Sequence, residues 1–96
     1  MNDREFLRAI DALCQTDDTP LEPLGAAILL ATAMDITDNS RSFARKFGVA
    51  HSLAIRACRS LAVDHGLLQI TDTDPRTQRV TYQLTARGSN LAKQER

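Results

Sequence analysis

The stretch FARKFGVAHSLAIRACRSL, residues 43–61, divides into two helical segments at Gly48. Apolar or small residues recur at helical spacing in each segment: Phe43, Ala44 and Phe47 in the first, and Ala54, Cys58 and Leu61 in the second. Gly48 supplies the backbone freedom that ends one helix and allows the next to start in a new direction. The arginines lie on other faces than the apolar residues. The stretch therefore predicts two short helices that share a core and expose a basic surface.

Two helices are predicted before this stretch. The first, residues 1–15, is amphipathic, with Asn2 as its N-cap. Its apolar face carries Phe6, Ile10, Leu13 and Cys14. The second, residues 23–34, is expected to begin at Pro23, because a proline deeper in a helix forfeits a backbone hydrogen bond. This second helix is apolar on almost all sides, which is typical of a helix at the centre of a core.

The chain between the second helix and Gly66 continues with a strand and a helix pair. Ile36 and Thr37 are expected to form a short edge strand. A helix-turn-helix unit is predicted over residues 40–65, and Gly66 ends it. The residues that can cap its first helix are Asp38, Asn39 and Ser40.

Alternating apolar and polar residues predict a β-hairpin over residues 67–84. The inward residues are expected to be Leu68 and Ile70 in one strand, and Val80, Tyr82 and Leu84 in the other. Asp74 and Pro75 are suited to start a type I turn, which leaves a protruding, basic tip. Thr85 is expected to cap a last helix over residues 86–95.

This order of elements predicts an α+β fold, mainly α, of the winged helix-turn-helix class: helices with a C-terminal two-stranded β-hairpin wing. The 96 residues suffice for one core, so residues 1–96 are expected to form a single domain. No stretch approaches the roughly 20 uncharged apolar residues of a membrane span. The first residues mix acids and bases and are unlike a signal or transit peptide. We therefore expect a cytoplasmic protein with no membrane partner.

Charge is distributed unevenly along the chain, although the formal net charge is zero. Residues 1–38 contain two basic and eight acidic side chains, a net charge of −6. Residues 39–96 contain ten basic and four acidic side chains, a net charge of +6. Such asymmetry between halves suggests contact with nucleic acid, although charges that balance across a folded surface would give the same numbers.

The predicted helix pair, wing and basic half together favour DNA binding. A major groove about 12 Å wide admits one α-helix, and the preceding helix crosses the backbone to brace it. We expect the helix from Ala50 to lie in the major groove. The candidate DNA-binding residues are His51, Ser52, Arg56 and Arg59 on that helix, Arg41, Arg45 and Lys46 on the preceding helix, and Arg76 and Arg79 at the wing tip.

Each candidate also has a simpler interpretation. His51 and Ser52 open a helix, where capping is the alternative to DNA contact. Exposed arginines are common on solvated helix faces, although Arg56 and Arg59 recur at i and i+3 on the face opposite the core. Leu53 and Ile55 are both expected to pack on the hairpin or on a partner protomer. The alternative is that they touch thymine methyl groups.

Four short motifs resemble the MarR-type winged-helix transcription regulators over roughly residues 36–92. They are FARKFGV before the groove helix, HGLL before the first wing strand, Asp74-Pro75-Arg76, similar to D-x-R at the wing tip, and LTARG, similar to L-T-x-x-G. The resemblance implies a repressor or activator that binds short palindromic DNA as a homodimer through its N- and C-terminal helices. It also implies that Arg76 enters the minor groove, oriented by Asp74, and it leaves any effector ligand unknown.

Other function classes find little support in the sequence. His51, Cys58 and His65 share a helix face, but seven residues span about 10.5 Å, which is too far for one metal ion. No nucleophile is paired with an orienting acid and no glycine loop cradles phosphate, so neither an enzyme nor a cofactor is expected. The alternatives to a DNA-binding regulator are a winged-helix protein-protein interaction module, which would use Leu53, Ile55 and the acidic first helix, and an antirepressor or phage-type accessory factor.

The two cysteines, Cys14 and Cys58, lie in apolar helical patterns and do not form a C-x-x-C pair. Such a placement is typical of reduced, buried thiols that contribute to packing. We therefore expect no disulfide and no thiol chemistry from them.

Overall fold

Residues 3–15 and 21–94, which the computed structural model describes, form five helices and one two-stranded antiparallel hairpin. The elements in chain order are α1 (Asp3–Cys14), α2 (Pro23–Ala33), α3 (Ser40–Phe47), α4 (His51–Val63), β1 (Leu68–Thr73), β2 (Val80–Leu84) and α5 (Ala86–Gln94). The predicted α+β class with mainly helical content is confirmed. Within these residues, the helices are all too short or too polar to cross a membrane. The predicted N-cap Asn2 lies outside the described residues.

Helix α2 lies at the centre of the core. Its residues 25–31 are all buried, because the helix carries no charged side chain and its neighbours enclose it. The elements α1, α4, α5 and β2 all pack against it. Burial of one leucine or isoleucine side chain contributes about 1.5–3 kcal/mol, so the fully buried Ile28, Leu29 and Leu30 make this helix a large contributor to hydrophobic stabilisation. The predicted central position is confirmed.

The joint between α3 and α4 follows the pattern of residues 43–61. The side chain of Asn39 accepts a hydrogen bond from the Ser42 backbone N–H at 2.8 Å and caps α3. Gly48 adopts a left-handed φ of 68° and ends that helix. The rings of Phe43 and Phe47 stack with their centroids 4.5 Å apart. The predicted apolar faces of both helices are therefore confirmed, and Asn39 is the cap among the three candidates.

The hairpin keeps its apolar residues on the inner face. Leu68 pairs with Leu84 across the two strands, and Ile70 pairs with Tyr82. Thr71 is the extra residue of a bulge between Ile70 and Asp72, and its hydroxyl donates to the Thr81 carbonyl at 3.2 Å. The predicted inward set is confirmed: Leu68, Val80 and Tyr82 are buried, while Ile70 and Leu84 are partly buried against the core.

The expected edge strand at Ile36 and Thr37 is wrong. Their backbone N–H groups turn back to the Ala31 carbonyl, at 2.8 and 3.5 Å, and so close the end of α2. Asp35 makes this reversal with a left-handed φ of 57°. The segment before α3 pairs with β2 through one isolated bridge, between Asn39 and Thr81.

Two further predictions need correction. Helix α4 ends at Val63, two residues before the predicted end, because Gly66 takes a φ of 66° and the Leu67 N–H turns back to the Leu61 carbonyl at 2.9 Å. Both cysteines are unpaired, but only Cys58 is buried. Cys14 is half-buried because it lies at the end of α1, at the margin of the core.

The last helix is anchored on the turn after α4. Thr85 caps α5, as predicted, by accepting the Gly88 N–H at 3.0 Å, and its hydroxyl donates to the Gly66 carbonyl at 2.8 Å. A Cβ atom added to Gly88 would lie 2.1 Å from the Leu67 carbonyl oxygen. Real Cβ atoms do not approach backbone so closely, so only glycine fits where α5 contacts this turn.

Replacement of Gly88 by alanine is therefore expected to destabilise the protein by at least about 1–3 kcal/mol, since α5 or the turn must shift. Thermal or urea unfolding followed by circular dichroism measures the effect. The matched control is Gly25→Ala in α2, where the new methyl group would contact the Leu61 side chain at an ordinary 3.5 Å. Equal unfolding midpoints for the two variants would contradict the close contact at Gly88.

Candidate nucleic-acid interface

Helix α4 separates a core face from a basic outward face. Its core face is formed by the buried residues Ala54, Cys58 and Leu61. Ser52, Arg56 and Arg59 are exposed. Because successive helical residues are rotated by about 100°, these three lie close together on the side opposite the core. The arrangement places two guanidinium groups on one exposed strip of a 13-residue helix.

Helix α3 presents a second basic face beside α4. Arg41, Arg45 and Lys46 are all exposed, whereas Phe43 and Ala44 are buried in the core. The predicted solvent exposure of these three bases is confirmed. Arg45 and Lys46 also lie in the last turn of α3, where positive charge interacts favourably with the helix dipole.

A surface depression brings α3, the start of α4 and the hairpin loop together. It has a volume of about 460 Å³ and is lined by Arg41, Ala44, Arg45, Val49, His51 and Thr77. Three of these side chains, Arg41, Arg45 and His51, were predicted as DNA contacts from separate parts of the pattern. The depression is therefore a concave, basic site built from three elements.

His51 lies where α3, α4 and β2 meet, and it does not cap α4. Its Nε2 atom lies 2.9 Å from the Oγ atom of Ser40. The same Oγ atom accepts the backbone N–H of Val80 at 2.9 Å. The N-cap of α4 is Ala50, which provides no side-chain hydrogen bond. The capping interpretation of His51 is therefore wrong.

The hairpin loop is organised by the carboxylate of Asp74. Its Oδ1 atom accepts the backbone N–H groups of Arg76 at 2.8 Å and Thr77 at 3.3 Å. These two hydrogen bonds, with smaller contributions from the positive charges of Arg79 and Arg41, lower the pKa of Asp74. The Asp74 carbonyl accepts from the Gln78 N–H at 2.7 Å, so the loop forms a wider turn than the predicted type I turn.

Asp74 contacts Arg76 through the backbone of the loop, and its predicted orientation of the Arg76 side chain stays a prediction. The carboxylate binds the backbone N–H of Arg76, and the guanidinium that lies against it belongs to Arg79, with Nη2 4.0 Å from Oδ2. The wider turn directs the backbone N–H groups of Arg76 and Thr77 at this carboxylate. Arg76 is exposed at the tip, whereas Arg79 is half-buried at the loop base.

Sequence reasoning missed Ser40 and Thr77. Ser40 is fully buried, and its contact with Val80 joins residues 40 positions apart, which no local pattern reveals. Thr77 lies in the hairpin loop, and its position depends on the wide turn at Asp74, which the sequence did not predict. Of the two apolar residues considered for packing, Ile55 is partly buried against the core, whereas 48% of Leu53 remains exposed.

Two ionisable groups, Cys58 and Tyr82, are buried beneath the interface. Burial raises the pKa of the Cys58 thiol to about 12, although Tyr82 and Arg59 act in the opposite direction. Burial also raises the pKa of the Tyr82 phenol, whose hydroxyl lies near Cys58, Thr37 and Thr32 without reaching hydrogen-bond geometry. Both groups therefore stay protonated at neutral pH. Within residues 3–15 and 21–94, no three His, Cys, Asp or Glu side chains are grouped to hold a metal ion.

No protein-family model matches the chain, and no match is found among curated proteins or among solved structures. The resemblance to MarR-type regulators therefore stays a prediction. The candidate interface depends on the residues and geometry described above.

The lowered pKa of Asp74 makes the loop sensitive to acid. The carboxylate favours the folded loop above its usual pKa of about 3.9, and this contribution is lost as the pH falls through the lowered value. We expect the backbone amide signals of Arg76 and Thr77 to titrate with a midpoint below about 3.9 in NMR spectra.

Two variants of Asp74 separate hydrogen bonding from charge. Asp74→Asn keeps the oxygen acceptor but abolishes the acid titration, so the two amides should stay protected from hydrogen exchange. Asp74→Ala removes the acceptor, and both amides should exchange faster. Unchanged protection in Asp74→Ala would contradict the assigned role of the carboxylate.

Proposed function

We propose that this chain is a sequence-specific double-stranded DNA-binding transcription regulator with a winged helix-turn-helix fold, similar to the MarR-type regulators. In this proposal α3 and α4 are the helix-turn-helix, α4 is the recognition helix and the β1–β2 hairpin is the wing. The observation that carries the proposal is the basic depression lined by Arg41, Arg45, His51 and Thr77, because it joins both helices and the wing in one concave surface.

Phosphate contacts supply most of the affinity in this proposal. Arg41, Arg45 and Lys46 project from α3, which crosses the DNA backbone in a helix-turn-helix complex. Each neutralised phosphate releases condensed counterions, so binding weakens as salt rises. The zero net charge of the chain does not oppose this role, because the acidic residues are concentrated in its first 38 residues.

Base recognition is assigned to the exposed strip of α4. The 13 residues of this helix extend about 20 Å, which is enough to follow the major groove across several base pairs. Ser52 and Arg56 lie toward its N-terminal half, which is the part that contacts base edges in this geometry. An arginine can donate two hydrogen bonds to the O6 and N7 atoms of guanine. Arg59, one turn further along, reads a neighbouring base or binds phosphate.

The wing contributes two arginines with different roles. Arg76 is exposed at the tip and is assigned to the minor groove or the adjacent backbone, where a narrow groove concentrates negative potential. Arg79 is half-buried at the base of the loop, 4.0 Å from the Asp74 carboxylate, and because it lies farther from the tip than Arg76 we assign it to a phosphate at the edge of the wing. Asp74 supports both by fixing the backbone of the loop.

A cytoplasmic homodimer belongs to the same proposal. Palindromic operators require two copies of α4 about 34 Å apart, one turn of the double helix. The terminal helices α1 and α5 are the proposed dimer elements. Leu7 supports this assignment, because 62% of this apolar side chain is exposed on α1. An effector is not assigned.

A second candidate function is supported by a groove between α2 and α4. The groove has a volume of about 820 Å³, and its apolar lining includes Leu24, Leu53 and Val63. Leu53 and Val63 are 48% and 80% exposed, and two exposed apolar side chains that line one groove suit an interaction surface. A winged-helix protein-interaction module would use this groove.

Selection from random duplex DNA tests the main proposal. We expect enrichment of palindromic sites, and affinity that falls with salt by about 0.9 logarithmic units per tenfold increase for each phosphate contacted. Arg56→Ala should cost about 1–3 kcal/mol on the selected site and relax its sequence preference. Arg8→Ala on α1 is the control, since it removes an exposed arginine outside the DNA-facing surface, and gel filtration of this variant checks that the proposed dimer is retained.

The two candidate functions give different outcomes. Loss of affinity in Arg56→Ala, with Leu53→Ser still binding DNA, supports the regulator. DNA affinity that does not change with salt, or equal losses of affinity in Arg56→Ala and Arg8→Ala, would contradict the regulator proposal.

A further inference from the structure

One buried hydroxyl joins the three elements of the proposed interface. Ser40 is fully buried and is the first residue of α3. Its Oγ atom accepts the N–H of Val80, the first residue of β2, and lies 2.9 Å from Nε2 of His51, the first residue of α4. A single atom therefore connects both helices of the proposed helix-turn-helix to the wing.

The hydrogen-bonding capacity of this hydroxyl favours one tautomer of the imidazole. The Ser40 hydroxyl has one hydrogen and two lone pairs, and the Val80 N–H occupies one lone pair. Among the described contacts of Ser40, Nε2 of His51 is the acceptor within reach of the remaining hydrogen. A neutral imidazole carries one N–H, so acceptance at Nε2 places that hydrogen on Nδ1.

We propose that Ser40 is a positioning residue that holds His51 as a neutral Nδ1–H donor to a DNA phosphate. The inference rests on the proposed function, because the phosphate belongs to the DNA. Phosphate is favoured over a base edge because His51 lines the same depression as Arg41 and Arg45. Ala50 gives α4 no side-chain cap, and His51 lies at the N-terminal end of this helix, where the helix dipole favours an anion.

Hydrogen bonding at Ser40 favours the neutral imidazole. A charged imidazole would donate from Nε2 and leave the buried Ser40 hydrogen without its acceptor. Arg41 and Arg45 line the depression with two positive charges. The acidic group on the facing loop is Asp74, and its carboxylate already accepts the Arg76 and Thr77 N–H groups. His51 thus contributes a hydrogen bond to the phosphate and no charge.

The first test needs only the free wild-type protein. Long-range proton–nitrogen NMR correlations distinguish the two imidazole tautomers at pH 8, and His65 provides a reference ring in the same spectrum. We expect His51 to carry its hydrogen on Nδ1, and to become a tautomer mixture in Ser40→Ala. A hydrogen on Nε2 in the wild type would overturn the proposal, whether or not the protein binds DNA.

The second test is a double-mutant cycle on DNA affinity. Ser40→Ala and His51→Ala should each weaken binding about 5-fold or more, and Ser40→Ala should add almost nothing in the His51→Ala background. Thermal unfolding of each variant controls for stability. Additive losses would show that Ser40 acts on the fold alone and would overturn the positioning role.

The salt dependence of the same variants distinguishes a neutral donor from a cation. Arg41→Gln should reduce the slope of the logarithm of affinity against the logarithm of salt by about 0.9. His51→Ala should lower affinity and leave that slope unchanged. An equal change in slope for both variants would show a charged His51 and overturn the inference. Absence of DNA binding in every variant would overturn the phosphate contact, while the tautomer measurement would still report on Ser40.

Discussion

Enclosure of α2 is the constraint on which the rest of the structure depends. A helix whose residues 25–31 are all buried cannot face water on any side, so α1, α4, α5 and β2 must cover it. Each covering element is apolar on one face only, and its charged residues are forced outward. Because the second half of the chain is rich in arginine, the outward face of α4 becomes basic, and so does that of α3, which packs on α4 and β2. The same hydrophobic requirement that closes the core thus creates the candidate interface.

A few contacts at the ends of elements determine how these faces are arranged. Gly48 lets α4 leave α3 in a new direction, and Ser40 connects both helices to the first residue of β2. Gly88 allows α5 to contact the turn after α4 at a distance that no other residue permits. These contacts fix relative orientation, which a concave binding site requires more than additional stability.

The parts of the fold that the sequence could predict are those with a local, repeating signal. Helical spacing identified the buried faces of α3 and α4, and alternation identified the inner face of the hairpin, because burial of one face leaves a periodic pattern. The reversal after Asp35 and the wide turn at Asp74 depend on hydrogen bonds that the pattern does not encode. Exposure of Arg56 was predictable for the same periodic reason. The partnership of Ser40, His51 and Val80 was not, since it requires knowledge of which elements meet.

The most direct measurement is a map of backbone amide shifts in NMR spectra on addition of a selected duplex DNA. A winged helix that binds through its basic surface predicts changes concentrated in residues 41–46, 51–59 and 74–79, with α1 little affected outside any dimer contact. Changes confined to α1 and to residues 21–25 and 60–65, or no change at all, would contradict DNA binding by this surface.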